Sequence, residues 1–172
     1  MGAWRESVAS NQASVAAAKG DTRYIPHGWD YMVYAYLQQG RDEAARAALK
    51  EIGGDTTGEY IAGALGSYNA LAMPARFALE RDDWKTAAAL RVTSAMAPPE
   101  ALAVTHFAKG LGAARAGDVS TAKQEVAALE TGVRDLTARR DPYWPIVVDA
   151  QRRAVAAWVA PEAGGQPDAP RP

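Results

Sequence analysis

The chain has 172 residues, of which 48% are hydrophobic and 23% are charged, with 19 basic against 20 acidic side chains and no cysteine. A chain of this length and composition is expected to fold as one unit with a hydrophobic core. A net charge of −1 creates no overall field toward phosphate backbones or anionic lipids, so we predict no nucleic-acid partner and no membrane partner. The lack of cysteine excludes disulfides, a thiolate nucleophile and cysteine-ligated metal sites.

The sequence shows neither a signal-peptide pattern nor a membrane-spanning pattern. Its first residues contain no basic stretch followed by an apolar run, the pattern of a signal peptide, and no window holds about 18 consecutive apolar residues. We therefore expect a cytoplasmic location. The periplasm stays open as an alternative, because a cysteine-free chain suits both compartments.

Helix is the secondary structure that the composition favours. There are 39 alanines against four isoleucines, and alanine loses no side-chain entropy in a helix. Apolar residues recur at the helical spacing i, i+4, i+7, and the last such stripe consists of Ile146, Ala150, Ala154 and Ala157. In chain order we predict eight helices, over about residues 3–19, 27–39, 42–52, 60–81, 83–96, 99–116, 118–139 and 142–160. A loop is an alternative for the glycine-rich part of 53–66, and the Pro/Gly-rich tail 161–172 is expected to be disordered.

Turn and capping residues separate the predicted helices. Gly40 and Gly117 suit the left-handed conformation that ends a helix. Three aspartates suit the position that accepts the first free amides of the next helix, namely Asp42, Asp83 and Asp118. Proline is tolerated in the first turn of a helix, so Pro98-Pro99 and Asp141-Pro142 are predicted helix starts.

A short phrase recurs at the predicted helix junctions: a tight turn, then a small residue five places later. Its four copies begin at Gly2, Gly40, Asp82 and Gly117, which are 38, 42 and 35 residues apart. This spacing is close to the ~34-residue period of a helix–turn–helix repeat. Two antiparallel helices need a turn between them and a small side chain where their backbones approach most closely, so the phrase predicts stacked helix pairs.

These positions resemble the tetratricopeptide repeat family. The first copy carries the family's aromatic, small, glycine, alanine and apolar positions at Trp29, Val33, Tyr36, Gly40, Ala45, Leu49 and Ile52. A later copy runs through His106, Gly110, Ala113, Gly117, Ala122, Val126 and Leu129, and a looser one through Leu71, Ala75, Ala78, Asp82 and Ala87. The resemblance covers about residues 2–160, and this part of the chain is similar to the C-terminal part of longer bacterial repeat proteins. The resemblance implies an all-α, right-handed solenoid of antiparallel helix pairs.

The resemblance also implies a division of the chain. Residues 1–160 would form the repeat domain, with an orphan second helix (1–19), three helix pairs (20–54, 55–97 and 98–140) and a closing helix (141–160), followed by the tail 161–172. In a lone second helix, the stripe Trp4, Val8 and Val15 would lack the helix that normally covers it. We therefore expect that the chain is the C-terminal part of a longer array, or that it forms a homodimer through this helix.

Candidate binding residues follow from the same resemblance, because the first helices of such pairs line a concave face. The inward positions mix aromatic side chains with both signs of charge, which suits a groove for a peptide or protein segment. We predict a non-catalytic binding module or scaffold without a cofactor; the alternative is that this inner face is merely solvated. The residues are His27, Asp30, Tyr34, Gln38, Asn69, Arg76, Glu80, Phe107 and Arg115.

A rival function rests on two histidines. His27 and Asp30 are three residues apart, which places both on one side of a helix, where they could share a metal ion or form a base oriented by a carboxylate. Together with His106 they suggest a small-molecule or metal-binding protein, or an enzyme. A deep pocket containing both histidines would favour this rival, and separated histidines would favour the binding module. A third hypothesis is a structural role, in which the exposed first helix drives assembly.

Overall fold

The computed structural model of the chain describes residues 2–18, 25–52, 54, 68–91 and 97–160. The regular elements in these residues are α-helices, which agrees with the all-α fold expected from the sequence. In chain order they are α1 (Trp4–Ala17), α2 (Ile25–Gln38), α3 (Asp42–Glu51), α4 (Tyr68–Leu79), α5 (Trp84–Ala89), α6 (Pro99–Arg115), α7 (Val119–Ala138) and α8 (Trp144–Val159). Among the described residues, no helix is long and apolar enough to cross a membrane.

The helices pack in two alternating sets. Each helix packs against the next one in the chain, and α2, α4, α6 and α8 also pack successively against one another. The even-numbered helices therefore form a continuous row, and the odd-numbered helices fill the spaces between successive members of that row. This is the packing expected of a solenoid built from helix pairs.

The small residues of the repeated phrase lie at the close helix approaches, as predicted. Ala45, Ala87 and Ala122 are all completely buried, each near the start of a helix that packs against the helix before it. The fourth member of the set, Ser7, lies in α1 and is partly exposed. Three of the four copies thus place their small side chain inside the core.

Four helices end with the same left-handed turn. Gly40 (φ 68°) and Gly117 (φ 85°) have the positive φ predicted for them, and Asp82 (φ 51°) and Arg140 (φ 57°) adopt the same conformation without glycine. In each turn, the amide after the left-handed residue donates to the carbonyl five residues earlier, as Arg41 does to Tyr36 at 2.9 Å. This is the Schellman motif, which satisfies carbonyls that the helix end leaves free.

The two non-glycine turns provide a stability prediction. A left-handed backbone brings Cβ close to the following carbonyl, so replacing Arg140 with glycine is expected to raise the free energy of unfolding by about 0.5–1 kcal/mol. Replacing Gly40 with alanine should lower it by a similar amount. Urea denaturation followed by circular dichroism measures both changes, and a loss of stability in Arg140→Gly would contradict the prediction.

Two of the three predicted aspartate caps are confirmed. The Asp83 carboxylate accepts a hydrogen bond from the Thr86 amide at 3.0 Å, and that of Asp118 accepts one from the Thr121 amide at 3.0 Å. The prediction for Asp42 is wrong, because Asp42 is the first residue inside α3 and makes no capping bond. Its carboxylate instead accepts from the Arg81 guanidinium, with a distance of 2.9 Å from Nε.

The predicted helix boundaries differ from the structure in two informative places. The sequence predicts a fifth helix that reaches residue 96, but α5 ends at Ala89, because Leu90 turns to an extended conformation (ψ 143°) and buries its side chain. Residues 92–96 of that prediction lie outside the described residues. The eighth was expected to begin at 142, but α8 begins at Trp144, whose amide donates to Asp141 Oδ1 at 2.8 Å. The predictions for most of the glycine-rich stretch 53–66 and for the tail 161–172 lie outside the described residues.

The expectation of an uncovered stripe on α1 is wrong. Val8 is buried, and Trp4 and Val15 pack with it against the core cluster that α2 contributes to. The reason is that α1 packs directly on α2, the next helix in the chain. The expected homodimer stays a prediction. Trp4, Val8 and Val15 do not form an exposed stripe that could drive it.

Candidate functional site

A buried carboxylate joins α2 to α4. Asp30 on α2 is only 2% exposed and accepts three hydrogen bonds from α4 side chains. Arg76 donates from Nε to Oδ1 at 2.8 Å and from Nη2 to Oδ2 at 3.4 Å, and Asn69 donates from Nδ2 to Oδ2 at 3.1 Å. A buried charge is tolerated only when it is paired and hydrogen-bonded, and Asp30 meets both conditions.

The cation of this pair remains accessible. The Arg76 side chain is 37% exposed, whereas that of Asp30 is 3% exposed. A guanidinium has five N–H donors, and the bonds to Asp30 come from Nε and Nη2. Burial lowers the pKa of Arg76, but the charge and hydrogen bonds of Asp30 outweigh burial and raise it. The pair therefore presents a permanently charged, fixed guanidinium at the surface.

One aromatic ring lies against the Arg76 guanidinium, and further aromatic side chains lie nearby. The guanidinium lies 5.5 Å from the ring centroid of Tyr34, which makes an edge-to-face contact with Trp4 at 5.4 Å. Tyr68, one residue before Asn69, makes a tilted ring contact with Trp144 of α8, with centroids 4.9 Å apart. Burial raises the pKa of Tyr68 above its ordinary value, so its phenol keeps its proton at neutral pH. We call Asp30, Tyr34, Tyr68, Asn69 and Arg76 the α2–α4 site.

A second polar contact lies at the C-terminal ends of α2 and α4, one helical turn beyond Arg76. Gln38, the last residue of α2, donates from Nε2 to Glu80 Oε2 at 2.8 Å, and both residues are exposed. Nearby, Arg81 bonds Asp42 of α3 and donates from Nη2 to the Leu37 carbonyl at 2.8 Å. These contacts fix the order and register of α2, α3 and α4.

The other predicted binding residues lie in separate environments. His27 is exposed on α2, and its ring lies 4.7 Å from that of Tyr31. Phe107 packs partly buried against the core cluster of α6, α7 and α8. The Arg115 guanidinium lies between two indoles, 4.9 Å from Trp84 and 4.4 Å from Trp158. The structure therefore brings Asp30, Tyr34, Asn69 and Arg76 together in one cluster. It pairs Gln38 with Glu80, and it places His27, Phe107 and Arg115 elsewhere.

His106 belongs to a different cluster from His27. Its Nδ1 lies 2.6 Å from Glu125 Oε2, and the Lys109 ammonium lies 2.9 Å from Glu125 Oε1. The ring also lines a groove of about 260 Å³ between α6 and α7, with small residues such as Ala103 and Gly132. Among the described residues, no group of three or more His, Cys, Asp or Glu side chains could hold a metal ion. His27, Asp30 and His106 each have their own partners, and none of those partners is shared.

The buried Glu125 carboxylate yields a pH prediction. Burial raises its pKa. The hydrogen bonds from His106 and Lys109, together with the charges of these two side chains, lower the pKa by more than burial raises it, so it lies below its ordinary value. A carboxyl group whose pKa is lowered by folding stabilises the fold at pH values above its pKa in the unfolded chain. This contribution is lost as the pH falls through its pKa in the folded chain. We expect Glu125→Gln to be about 1–3 kcal/mol less stable than the unsubstituted chain at pH 7. The difference should shrink below about pH 4.5. Urea denaturation at several pH values tests this, and a constant difference would contradict it.

Several residues of these clusters were not anticipated from the sequence. Glu125 and Tyr68 carry no local signal, because their partners are 16 residues or more away along the chain. Trp84 had a weak signal, since it occupies the same position of the repeated phrase as Trp4. Both indoles are partly exposed, and each contacts a residue near the C-terminal end of an even-numbered helix.

Comparisons of the chain with models of known protein families, with curated proteins and with solved structures found no match.

Proposed function

We propose that this chain is a non-catalytic helical-repeat protein that binds a peptide or protein segment at the α2–α4 site, through a carboxylate of that segment. The observation that carries the proposal is the Arg76 side chain, which is 37% exposed and whose guanidinium is held by a buried carboxylate. The residue resemblance to tetratricopeptide repeats, and the right-handed solenoid it implies, support the same function.

Fixing the guanidinium favours binding for an entropic reason. A free arginine side chain loses rotamer freedom when it grips a ligand, and this lowers its affinity. Asp30 and Asn69 have already ordered that end of the site. A guanidinium pairs with a carboxylate through parallel N–H···O bonds, which are stronger than bonds between neutral groups. Arg76 is therefore the proposed binding residue, and Asp30 is a positioning residue that keeps it in place.

The aromatic surroundings suit the rest of a peptide. Tyr34 offers a ring face beside the cation, and the neutral Tyr68 phenol can donate or accept a hydrogen bond. Aromatic and arginine side chains together dominate the binding energy of many protein interfaces. A segment that places an acidic group on Arg76 would bring its neighbouring side chains or backbone against these rings.

Selection from a random peptide library displayed on phage, with the full chain as bait, tests the proposal. Peptides enriched in Asp or Glu are expected, and their dissociation constants can be measured by isothermal titration calorimetry. Arg76→Gln should weaken binding at least about tenfold. Arg41→Gln is the matched control, because Arg41 also lies over a tyrosine ring, that of Tyr36 at 4.8 Å, but outside the site.

The controls separate binding from folding. Circular dichroism of each variant at the titration temperature shows whether the helices remain. Asp30→Asn should keep Arg76 but leave it less well oriented, so weaker binding is expected here too, with the acidic preference retained. Equal affinity for Arg76→Gln and the unsubstituted chain, or selected peptides without acidic residues, would contradict the proposal.

A further inference from the structure

The outward stripe of α8 has the spacing of a helix-packing face. Ile146, Ala150, Arg153 and Ala157 follow one another at i, i+4, i+7 and i+11. The same spacing joins Trp29, Val33, Tyr36 and Gly40 around α2, Leu71, Ala75, Ala78 and Asp82 around α4, and His106, Gly110, Ala113 and Gly117 around α6. The four even-numbered helices therefore carry one repeated stripe.

Burial of this stripe differs between α8 and the other three helices. The residues at the second and third positions of the stripe are buried in α2, α4 and α6. They are Val33, Tyr36, Ala75, Ala78, Gly110 and Ala113. Each of these helices packs against the helix that follows it, and a Cβ at Gly110 would meet Val155 of α8 at 2.9 Å and Glu125 of α7 at 3.0 Å. In α8 the stripe is open: Ile146 is 72% exposed, and Ala150 is also exposed.

The open stripe continues into a groove beside α7. The groove has a volume of about 560 Å³ and is lined by Val133, Pro145, Ile146, Asp149, Ala150 and Arg153. Small residues such as Ala150 and Ala157 allow another helix to approach closely, and Ile146 supplies apolar area at one end. No helix among the described residues packs on this face, so it has the form of a docking surface for a helix.

The charge of the surface indicates the chemistry of its occupant. Asp149 accepts a bond from Arg152 Nε at 2.8 Å and one from Arg153 Nε at 2.7 Å, so two cations share one carboxylate. The side chain of Arg153 is 74% exposed and has further N–H donors. A second copy of α8 would bring its own surplus of positive charge to the seam, which disfavours self-pairing. An acidic partner is complementary.

We propose that this face of α8 docks an amphipathic helix of a partner protein. Bulky apolar side chains of that helix would lie over Ala150 and Ala157, and one of its carboxylates would bond Arg153. The site is separate from the α2–α4 site and does not depend on the function proposed for it. The docked helix would take the place relative to α8 that α7 takes relative to α6.

Two synthetic peptides test the proposal. Each is an amphipathic helix of about 20 residues with leucine at i, i+4, i+7 and i+11, flanked by glutamates in one peptide and by lysines in the other. Fluorescence anisotropy with the full chain should show binding of the glutamate peptide at least about tenfold tighter than that of the lysine peptide. Arg153→Glu is expected to reverse the preference.

A bulky substitution on the stripe gives the direct comparison. Ala150→Gln keeps good helix propensity at an exposed position and should weaken binding of the glutamate peptide at least about tenfold. Val119→Gln, at an exposed position of α7, is the matched control and should bind normally. Circular dichroism verifies folding of each variant. Binding unchanged in Ala150→Gln, no binding of either peptide, or a dimer in sedimentation velocity that Ala150→Gln abolishes would each overturn the proposal.

Discussion

Gly112→Ala is expected to destabilise the fold by about 2–3 kcal/mol, the cost of overpacking a close helix contact. A Cβ at Gly112 of α6 would lie 2.6 Å from the Ala88 amide nitrogen, 2.7 Å from the Trp84 carbonyl oxygen and 2.7 Å from Ala87 Cβ. Two of these neighbours are backbone atoms of α5. Because they belong to the backbone and not to a flexible side chain, they can move away from a new Cβ only if the whole of α5 shifts.

A second glycine provides the matched control. At Gly132 in α7, the nearest atom to a new Cβ would be Val148 Cγ1 at 3.7 Å, an ordinary contact. Gly132→Ala should therefore be neutral, or stabilising by up to about 1 kcal/mol, because alanine has the higher helix propensity. Urea denaturation of both variants makes the comparison. Equal stability of Gly112→Ala and Gly132→Ala would show that α5 does not pack on α6 as described.

Arg76→Met is expected to cost about 2–4 kcal/mol, because it leaves the buried Asp30 carboxylate without its cation. Asn69 would remain as a hydrogen-bond donor to Asp30 but would not neutralise its charge. The methylenes of methionine keep part of the packing that the arginine stem makes. The expected loss is thus mainly electrostatic, and it reports directly on the burial of Asp30.

A double-mutant cycle isolates that electrostatic part. In Asp30→Asn/Arg76→Met the buried charge and its partner are both removed, so the loss should be smaller than the sum of the two single losses by about 1–3 kcal/mol. Arg134→Met is the control, since Arg134 pairs with Glu130 on the surface at 3.6 Å. It should change stability by less than about 1 kcal/mol. Additive losses in the cycle would contradict the pairing of Asp30 with Arg76.

Features set by local chemistry could be predicted from the sequence. The turns at Gly40 and Gly117 and the caps at Asp83 and Asp118 depend on residues within one helical turn. The error at Asp42 has a local cause as well. Asp83 and Asp118 follow the left-handed residue directly, whereas Asp42 follows one position later, where its carboxylate lies too far into the helix to cap it.

Features set by contacts between helices could not be predicted in the same way. The sequence predicts that Asp30 lines an open groove, and nothing in its neighbourhood along the chain shows that it is buried, because Arg76 is 46 residues away. The stripe of Ile146, Ala150, Ala154 and Ala157 predicts a helix, but periodicity does not distinguish a covered stripe from an exposed one. The positions of both surfaces follow from packing between α2 and α4 and between α7 and α8.

The central claim is that Asp30 holds Arg76 in place as the ligand-binding group of the α2–α4 site. Arginine side-chain ¹H–¹⁵N NMR, with a selected acidic peptide added to the full chain, tests it most directly. We predict that the Arg76 Nε–H signal is protected from exchange without ligand, loses this protection in Asp30→Asn, and that the Arg76 Nη signals shift as peptide binds. A freely exchanging Arg76 Nε–H, or Arg76 signals that saturating peptide leaves unmoved, would contradict the claim.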